Sequence, residues 1–185
     1  MDGTTTFGSD LRALRKARGL TLSDLAARMD RSVGWMSQVE RGLSIPSFGE
    51  LKALAAELNV ALETLRHVPN APKGEEGVIV RKAARRAIGH RADGLAEELL
   101  SPDLTDAFEV VHSTFEPGAE RLDPVARPTQ EIGYIVSGAL EITIGDTTHS
   151  LEAGDSFRIR GEPFRWANRG QEPCIAIWVI APPVY

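Results

Sequence analysis

Between Leu20 and Gly42 runs the stretch LTLSDLAARMDRSVGWMSQVERG. Leu22, Leu25, Ala26 and Met29 recur at the spacing that puts them on one face of a helix. Thr21 stands just before that run with Asp24 three residues on, which predicts an N-terminal cap. The pattern breaks at Asp30-Arg31 and restarts at Ser32, a second capping residue. Met36 and Val39 point one way on the second helix, leaving Trp35, Ser37, Gln38 and Arg41 for other faces. Gly42 supplies the positive φ that ends a helix. Two short helices, a tight turn and a polar second helix are the parts of a helix-turn-helix.

The flanks extend the helical pattern. Residues 1–8 are expected to be disordered, with Ser9 capping a helix that turns Leu11 and Leu14 inward and stops at Gly19. After the motif, Ser47 and Glu50 form a capping-box pair for a helix whose apolar stripe is Phe48, Leu51, Leu54, Ala55 and Leu58. Asn59-Val60 stops it, and Ala61 to Leu65 makes a short fifth helix. His67 to Gly77, rich in Pro, Gly and charge, reads as a linker. Lys82 to Arg91 is a basic cluster, read as a solvated loop or edge.

Beyond residue 77 the periodicity changes. Val78-Ile79-Val80, Gly94 to Leu100, Phe108 to Phe115, Ile132 to Val136, Leu140 to Ile144, Phe157 to Ile159 and Ile175 to Ile180 read as strands. Turn signals at Glu116-Pro117-Gly118, Ser137-Gly138, Gly145-Asp146, Ala153-Gly154-Asp155 and Arg169-Gly170 separate them, which suggests a sandwich or barrel. The expected fold is thus multidomain, α then β: five helices in residues 1–66, a linker over 67–77, and a β domain over 78–185.

Charge divides along the same line. Residues 1–66 hold 9 Lys+Arg against 8 Asp+Glu, and residues 67–185 hold 12 against 18, so the whole net charge of −5 arises in the second part. A nearly neutral first part still binds DNA if its arginines share a face. No apolar run reaches the length of a membrane span, the N-terminus lacks the pattern of a signal peptide, and the single Cys174 cannot form an internal disulfide. A cytoplasmic location is expected, with Cys174 a buried thiol in the apolar run CIAIWVI.

The first part resembles the DNA-binding domain of the Cro/C1-type (XRE) regulators, from Leu11 to about Leu65, through LRKARGLTL, LAARM, SQVERG and PSFGELKALAAELNV. Asp30 stands where that family usually has glycine, and Asp tolerates the left-handed conformation the turn demands. The resemblance implies that Ser32 to Arg41 is the recognition helix, with Ser32, Val33, Gly34, Ser37 and Gln38 facing DNA and Trp35 and Arg41 reaching the phosphate backbone. Gln38 can donate to and accept from an adenine edge, and Val33 can touch a thymine methyl. Arg15 and Glu40 occupy the positions of a structural ion pair in that family.

The second part resembles the cupins. EPGAERLDPVARPTQEIGYIVSGALEI and LEAGDSFRIRGEPFRWAN are similar to the two halves of the cupin signature, so a jelly-roll β-barrel is expected. A helix-turn-helix followed by one small cupin is a familiar order in bacterial regulators, where the cupin is the sensor and usually the dimerising part. By position the metal slots hold Val125, Arg127, Glu131 and Phe164, followed by Asn168. One carboxylate beside an arginine cannot retain a transition metal, so no metal and no cofactor is expected. Strand parity turns Val125, Arg127, Glu131, Phe164 and Trp166 inward, a mainly apolar lining with two opposite charges, which suits a small zwitterion or amine ahead of a purely anionic ligand; the alternative is that Arg127 and Glu131 pair with each other in a barrel that binds nothing. His67, His90, His112 and His149 lie outside these slots, and His112 is expected to be packed or ligand-facing.

The reading is a sequence-specific DNA-binding transcriptional regulator, a repressor or activator, that works as a homodimer on double-stranded operator DNA and senses a small molecule. The alternative is a metal-independent cupin isomerase or lyase with a DNA-binding appendage. A third reading is an antitoxin-like or phage-type module whose cupin only dimerises.

Overall fold

The computed structural model describes residues 4–66, 74–75, 77–88 and 92–184. The chain forms two compact units: Met1–Gly89 together with Ser101–Asp106, and His90–Leu100 together with Ala107–Val184.

The first unit is helical. Its elements are α1 (Thr4–Ala17), α2 (Leu22–Arg28), α3 (Val33–Glu40), α4 (Phe48–Glu57) and α5 (Leu62–Arg66). Leu11, Leu14, Leu25, Met36, Val39, Leu54 and Leu58 are wholly buried and form its core. The caps read from the sequence are present. Thr21 and Asp24 close a capping box on α2, Ser47 and Glu50 close another on α4, and the Ser32 hydroxyl accepts from the Trp35 N–H at the start of α3. Asp30 takes φ +50° between α2 and α3, so a non-glycine residue does make the left-handed turn.

Two expectations fail in this unit and a third holds only in part. Helix α1 starts at Thr4, so residues 4–8 are not disordered and Ser9 lies inside the helix instead of capping it. The early turn has a packing partner: Gly8 is buried, and a Cβ there would stand 2.5 Å from the Glu40 carbonyl oxygen of α3. Val78-Ile79-Val80 is not a strand. The N–H groups of Val78 and Ile79 both donate to the Glu75 carbonyl in a turn, and Val78 stays exposed. The basic cluster is not wholly a solvated loop either. Its described part forms a 3₁₀ turn (Lys82–Ala84) and a two-residue strand β1 (Arg86–Ala87).

Arg86 is 3% exposed and donates to the Asp10 carboxylate at 2.6 Å, and the other Asp10 oxygen accepts from the Leu104 N–H at 2.9 Å. Burial pushes the Asp10 carboxyl above its ordinary range, opposed by the Arg86 charge. This clasp explains why residues 77–88 and Ser101–Asp106 group with the helices, whereas the sequence assigned residue 78 onward to the β domain. The expected linker lies mostly outside the described residues, as do His67 and His90.

The second unit is all β. Strands β2 (Leu95–Leu99), β3 (Glu109–Phe115), β10 (Cys174–Ala181), β5 (Gln130–Ser137) and β8 (Ser156–Ile159) lie side by side in that order. The other sheet runs β4 (Glu120–Val125), β9 (Phe164–Ala167), β6 (Ala139–Ile144) and β7 (Thr147–Glu152). All the pairings are antiparallel. Aromatic contacts join the two inner faces: Phe115 meets Trp166 edge-on at 4.7 Å, and Phe164 meets Trp178 at 5.7 Å. The stretch from Gly94 does form a strand, β2. Strands β4 and β7 carry polar residues on both faces and β9 has four residues, so none gave a readable alternation.

Candidate nucleic-acid interface and interior cavity

Helix α3 buries Met36 and Val39, engages Glu40 with Arg15, and leaves its other side chains at least partly exposed. Ser32, Val33, Gly34, Gln38 and Arg41 are exposed, and Trp35 and Ser37 are half-buried. A Cβ at Gly34 would meet only the Ser32 hydroxyl, at 3.9 Å, so the helix surface there is open to a close neighbour. The Arg41 side chain folds back, its Nε donating to the Ser37 carbonyl at 3.2 Å.

Two residues hold this helix in place. Arg15 of α1 donates through Nε and Nη2 to both Glu40 carboxylate oxygens, at 2.5 and 3.1 Å, and through Nη1 to the Leu20 carbonyl at 2.7 Å. The Glu40 hydrogen bond pushes the Arg15 guanidinium still further above its ordinary range. Arg31, which the sequence reading left aside, lies over the Trp35 ring with its guanidinium carbon 5.7 Å from the centroid, and also donates to Glu50 at 3.0 Å. Its only sequence signal was its place in the turn before the Ser32 cap.

The interior of the β unit holds a cavity of about 50 Å³. Val125, Arg127, Phe164 and Trp166 line it as parity predicts. Glu131 does not. It is 1% exposed, and its oxygens accept from the Thr129 hydroxyl at 2.6 Å, Trp178 Nε1 at 2.7 Å and Arg127 Nη2 at 3.3 Å. The Arg127 guanidinium also sits over Phe164, 5.4 Å from the ring centre. Arg121, Glu97, Phe115 and Trp178 complete the polar and aromatic lining. Inward alternation on β10 would have revealed Trp178. Arg121 and Glu97 lie on strands whose alternation is weak.

The positions that hold metal ligands in the cupin pattern carry Val125, Arg127, Glu131 and Phe164, and among the described residues no three His, Cys, Asp or Glu side chains gather into a metal-binding group. His112 is not ligand-facing: β3 buries Glu109, Val111, Ser113 and Phe115 and turns His112 to the outer face, half-buried. Cys174 is wholly buried, and burial pushes its thiol up to about 11, which keeps it protonated and unreactive near neutral pH. Among the described residues, no helix is long and apolar enough to cross a membrane.

A helix-turn-helix domain family model matches residues 6–68, and a cupin domain family model matches residues 111–180. Over 182 residues, 96% of each chain, the protein is 23% identical to the HTH-type transcriptional regulator PuuR of Escherichia coli. It is 40% identical to the HTH-type transcriptional regulator DdrOP3 of Deinococcus deserti over 55 residues, 30% of this chain and 43% of that one. Among solved structures, the polyketide cyclase RemF from Streptomyces resistomycificus is similar at a TM-score of 0.50 and 20% identity, covering 56% of this chain and 78% of the other, which shows the cupin fold of the second unit.

Proposed function

The chain belongs to the helix-turn-helix transcriptional regulators that carry a C-terminal cupin domain, and from that premise we propose how it reads DNA and what its cupin does. It is a DNA-binding regulator; the proposal is that Ser32, Val33, Gly34, Trp35, Ser37, Gln38 and Arg41 form the DNA-contacting face. The observation that carries this is the open face of α3, capped at Ser32 and held from behind by the Arg15–Glu40 pair. Arg31 adds a cation at the same helix's N-terminal end. The family matches over residues 6–68 and 111–180 support a DNA-binding part followed by a cupin part.

The cupin works as a non-catalytic sensor and dimeriser, in the cytoplasm. The second copy docks on the outer face of the larger sheet. There Ile132, Tyr134, Val136 and Val179 are each 37% or more exposed, and the register sets Ile132 opposite Val179 and Tyr134 opposite Ile177, making one apolar patch. The effector enters the interior cavity beside Arg121 and Arg127. Ligand pockets commonly run to ~300–1,000 Å³, so in about 50 Å³ an effector makes room by drawing Arg127 away from Glu131. An anionic group suits that exchange better than an amine, because Glu131 already has its donors. The closed Arg127–Glu131 pair also favours a second reading, in which the cupin dimerises without an interior ligand.

Genomic mapping of bound sites, followed by gel-shift titration at one recovered operator with a metabolite set, tests the assignment. Expected are a near-palindromic site and a ligand response lost in Arg127→Ala with DNA affinity retained. A full ligand response in Arg127→Ala would refute the interior-effector reading and leave DNA binding standing.

A further inference from the structure

A second hollow, of about 190 Å³, opens on the outer face of the β4-β9-β6-β7 sheet. Thr143 on β6 faces Arg165 on β9 and Thr148 on β7, so these three side chains form one row across the sheet. In the next row on that face, Ala167 lies between Glu120 and Glu141. Its methyl group is small, and the space above it separates Arg165 from Arg169 just past the strand end.

The polar groups around this space favour an anion. Arg165 and Arg169 lie on this face with Glu120 and Glu141, and Arg121, which also lines the interior cavity, borders the hollow. Arg169 is held by Glu120 at 2.6 Å and lies 4.0 Å from Glu141. Arg165 is exposed and makes no ion pair with any carboxylate among the described residues, so its planar fork of N–H donors is available. The Thr143 and Thr148 hydroxyls lie 2.9 Å apart. One donates to the other, and the second hydroxyl hydrogen remains for a ligand.

We propose that this hollow binds a small oxyanion, the phosphate or carboxylate group of a metabolite, gripped by the Arg165 fork and a threonine hydroxyl. Arg121 and Trp166 border both this hollow and the interior cavity, so an anion bound outside bears on the wall of the interior space. The site stands apart from the interior-effector reading and needs no ligand inside the barrel.

The test is calorimetric titration of the full chain with inorganic phosphate and, separately, with malonate. Saturable binding of at least one anion is expected, weakened about tenfold or more by Arg165→Gln. Saturation by phosphate alone assigns the site to phosphorylated ligands, and by malonate alone to carboxylates. Arg165 is exposed, so its replacement should leave the fold intact by circular dichroism, and Thr148→Val gives a second reading by removing a hydroxyl. Absence of saturable binding by both anions, or wild-type affinity in both Arg165→Gln and Thr148→Val, would overturn the proposal. Loss of binding in Arg127→Gln with retention in Arg165→Gln would move the anion to the interior and overturn it equally.

Discussion

Arg15 and Glu40 meet through two parallel hydrogen bonds, at 2.5 and 3.1 Å, with side chains only 9% and 7% exposed. The pair joins the first helix to the last residue of α3, and Arg15 also ties down the Leu20 carbonyl ahead of the motif. It therefore sets the angle at which α3 is presented while touching no DNA. Removing one partner leaves the other charge buried and uncompensated. Arg15→Ala or Glu40→Ala should cost ~3–5 kcal/mol in a denaturant titration, with operator affinity falling only as far as the fold does.

Gln38 is exposed on α3, two residues before its last residue, Glu40. Gln38→Ala should weaken specific binding by ~1–3 kcal/mol and relax one base position. Arg41→Ala should weaken all sequences alike and lower the salt dependence by about one phosphate contact. Binding-site selection with each variant separates the two roles; an unchanged profile for Gln38→Ala would remove it from the base-reading set.

Gly8 lets α1 approach the backbone of α3, where the Glu40 carbonyl oxygen would stand 2.5 Å from an added Cβ. The opposing atoms are backbone and cannot rotate away. Gly8→Ala should cost ~1–3 kcal/mol by overpacking, in spite of alanine's better helix propensity, and thermal melting checks the sign.

The apolar outer face of the larger sheet makes a different prediction. Tyr134→Asp and Ile132→Asp, at side chains about half exposed, should leave each chain folded and shift the protein to monomer in analytical ultracentrifugation. DNA binding should weaken in step, because half-sites lie about one helical turn, roughly 34–36 Å, apart. A wild-type monomer at micromolar concentration would contradict the dimer.

Stability should also depend on acid pH through the helix caps. The Thr21 hydroxyl and N–H hold the Asp24 carboxyl below its ordinary range, and the Ser47 N–H does the same for Glu50. A carboxylate whose folded-state pKa is depressed contributes stability above its unfolded pKa, near 3.8 for Asp24 and 4.5 for Glu50, and loses it as pH falls through the folded value. Melting temperature should thus drop below about pH 5, and less steeply in Asp24→Asn with Glu50→Gln than in the wild type.

The sequence by itself determined the helix-turn-helix, because the signals that form it are local. Caps at Thr21, Ser32 and Ser47, one-face apolar spacing and the left-handed Asp30 act within a few residues of one another. It determined the alternating strands β3, β5 and β10 for the same reason, and its likeness to the cupin signature placed Val125, Arg127, Phe164 and Trp166, which line the cavity. Tertiary structure alone decided the rest. Glu131 left the cavity lining because Trp178, 47 residues away, donates to it, and no local pattern encodes that bond. Arg86 left its exposed basic run because Asp10, 76 residues away, offers a carboxylate in a buried place where an unpaired charge could not stay. The outer hollow exists because pairing of β6 with both β7 and β9 brings Thr148 and Arg165 alongside Thr143. Such pairings depend on which distant segments lie side by side, and that information resides in the packed chain.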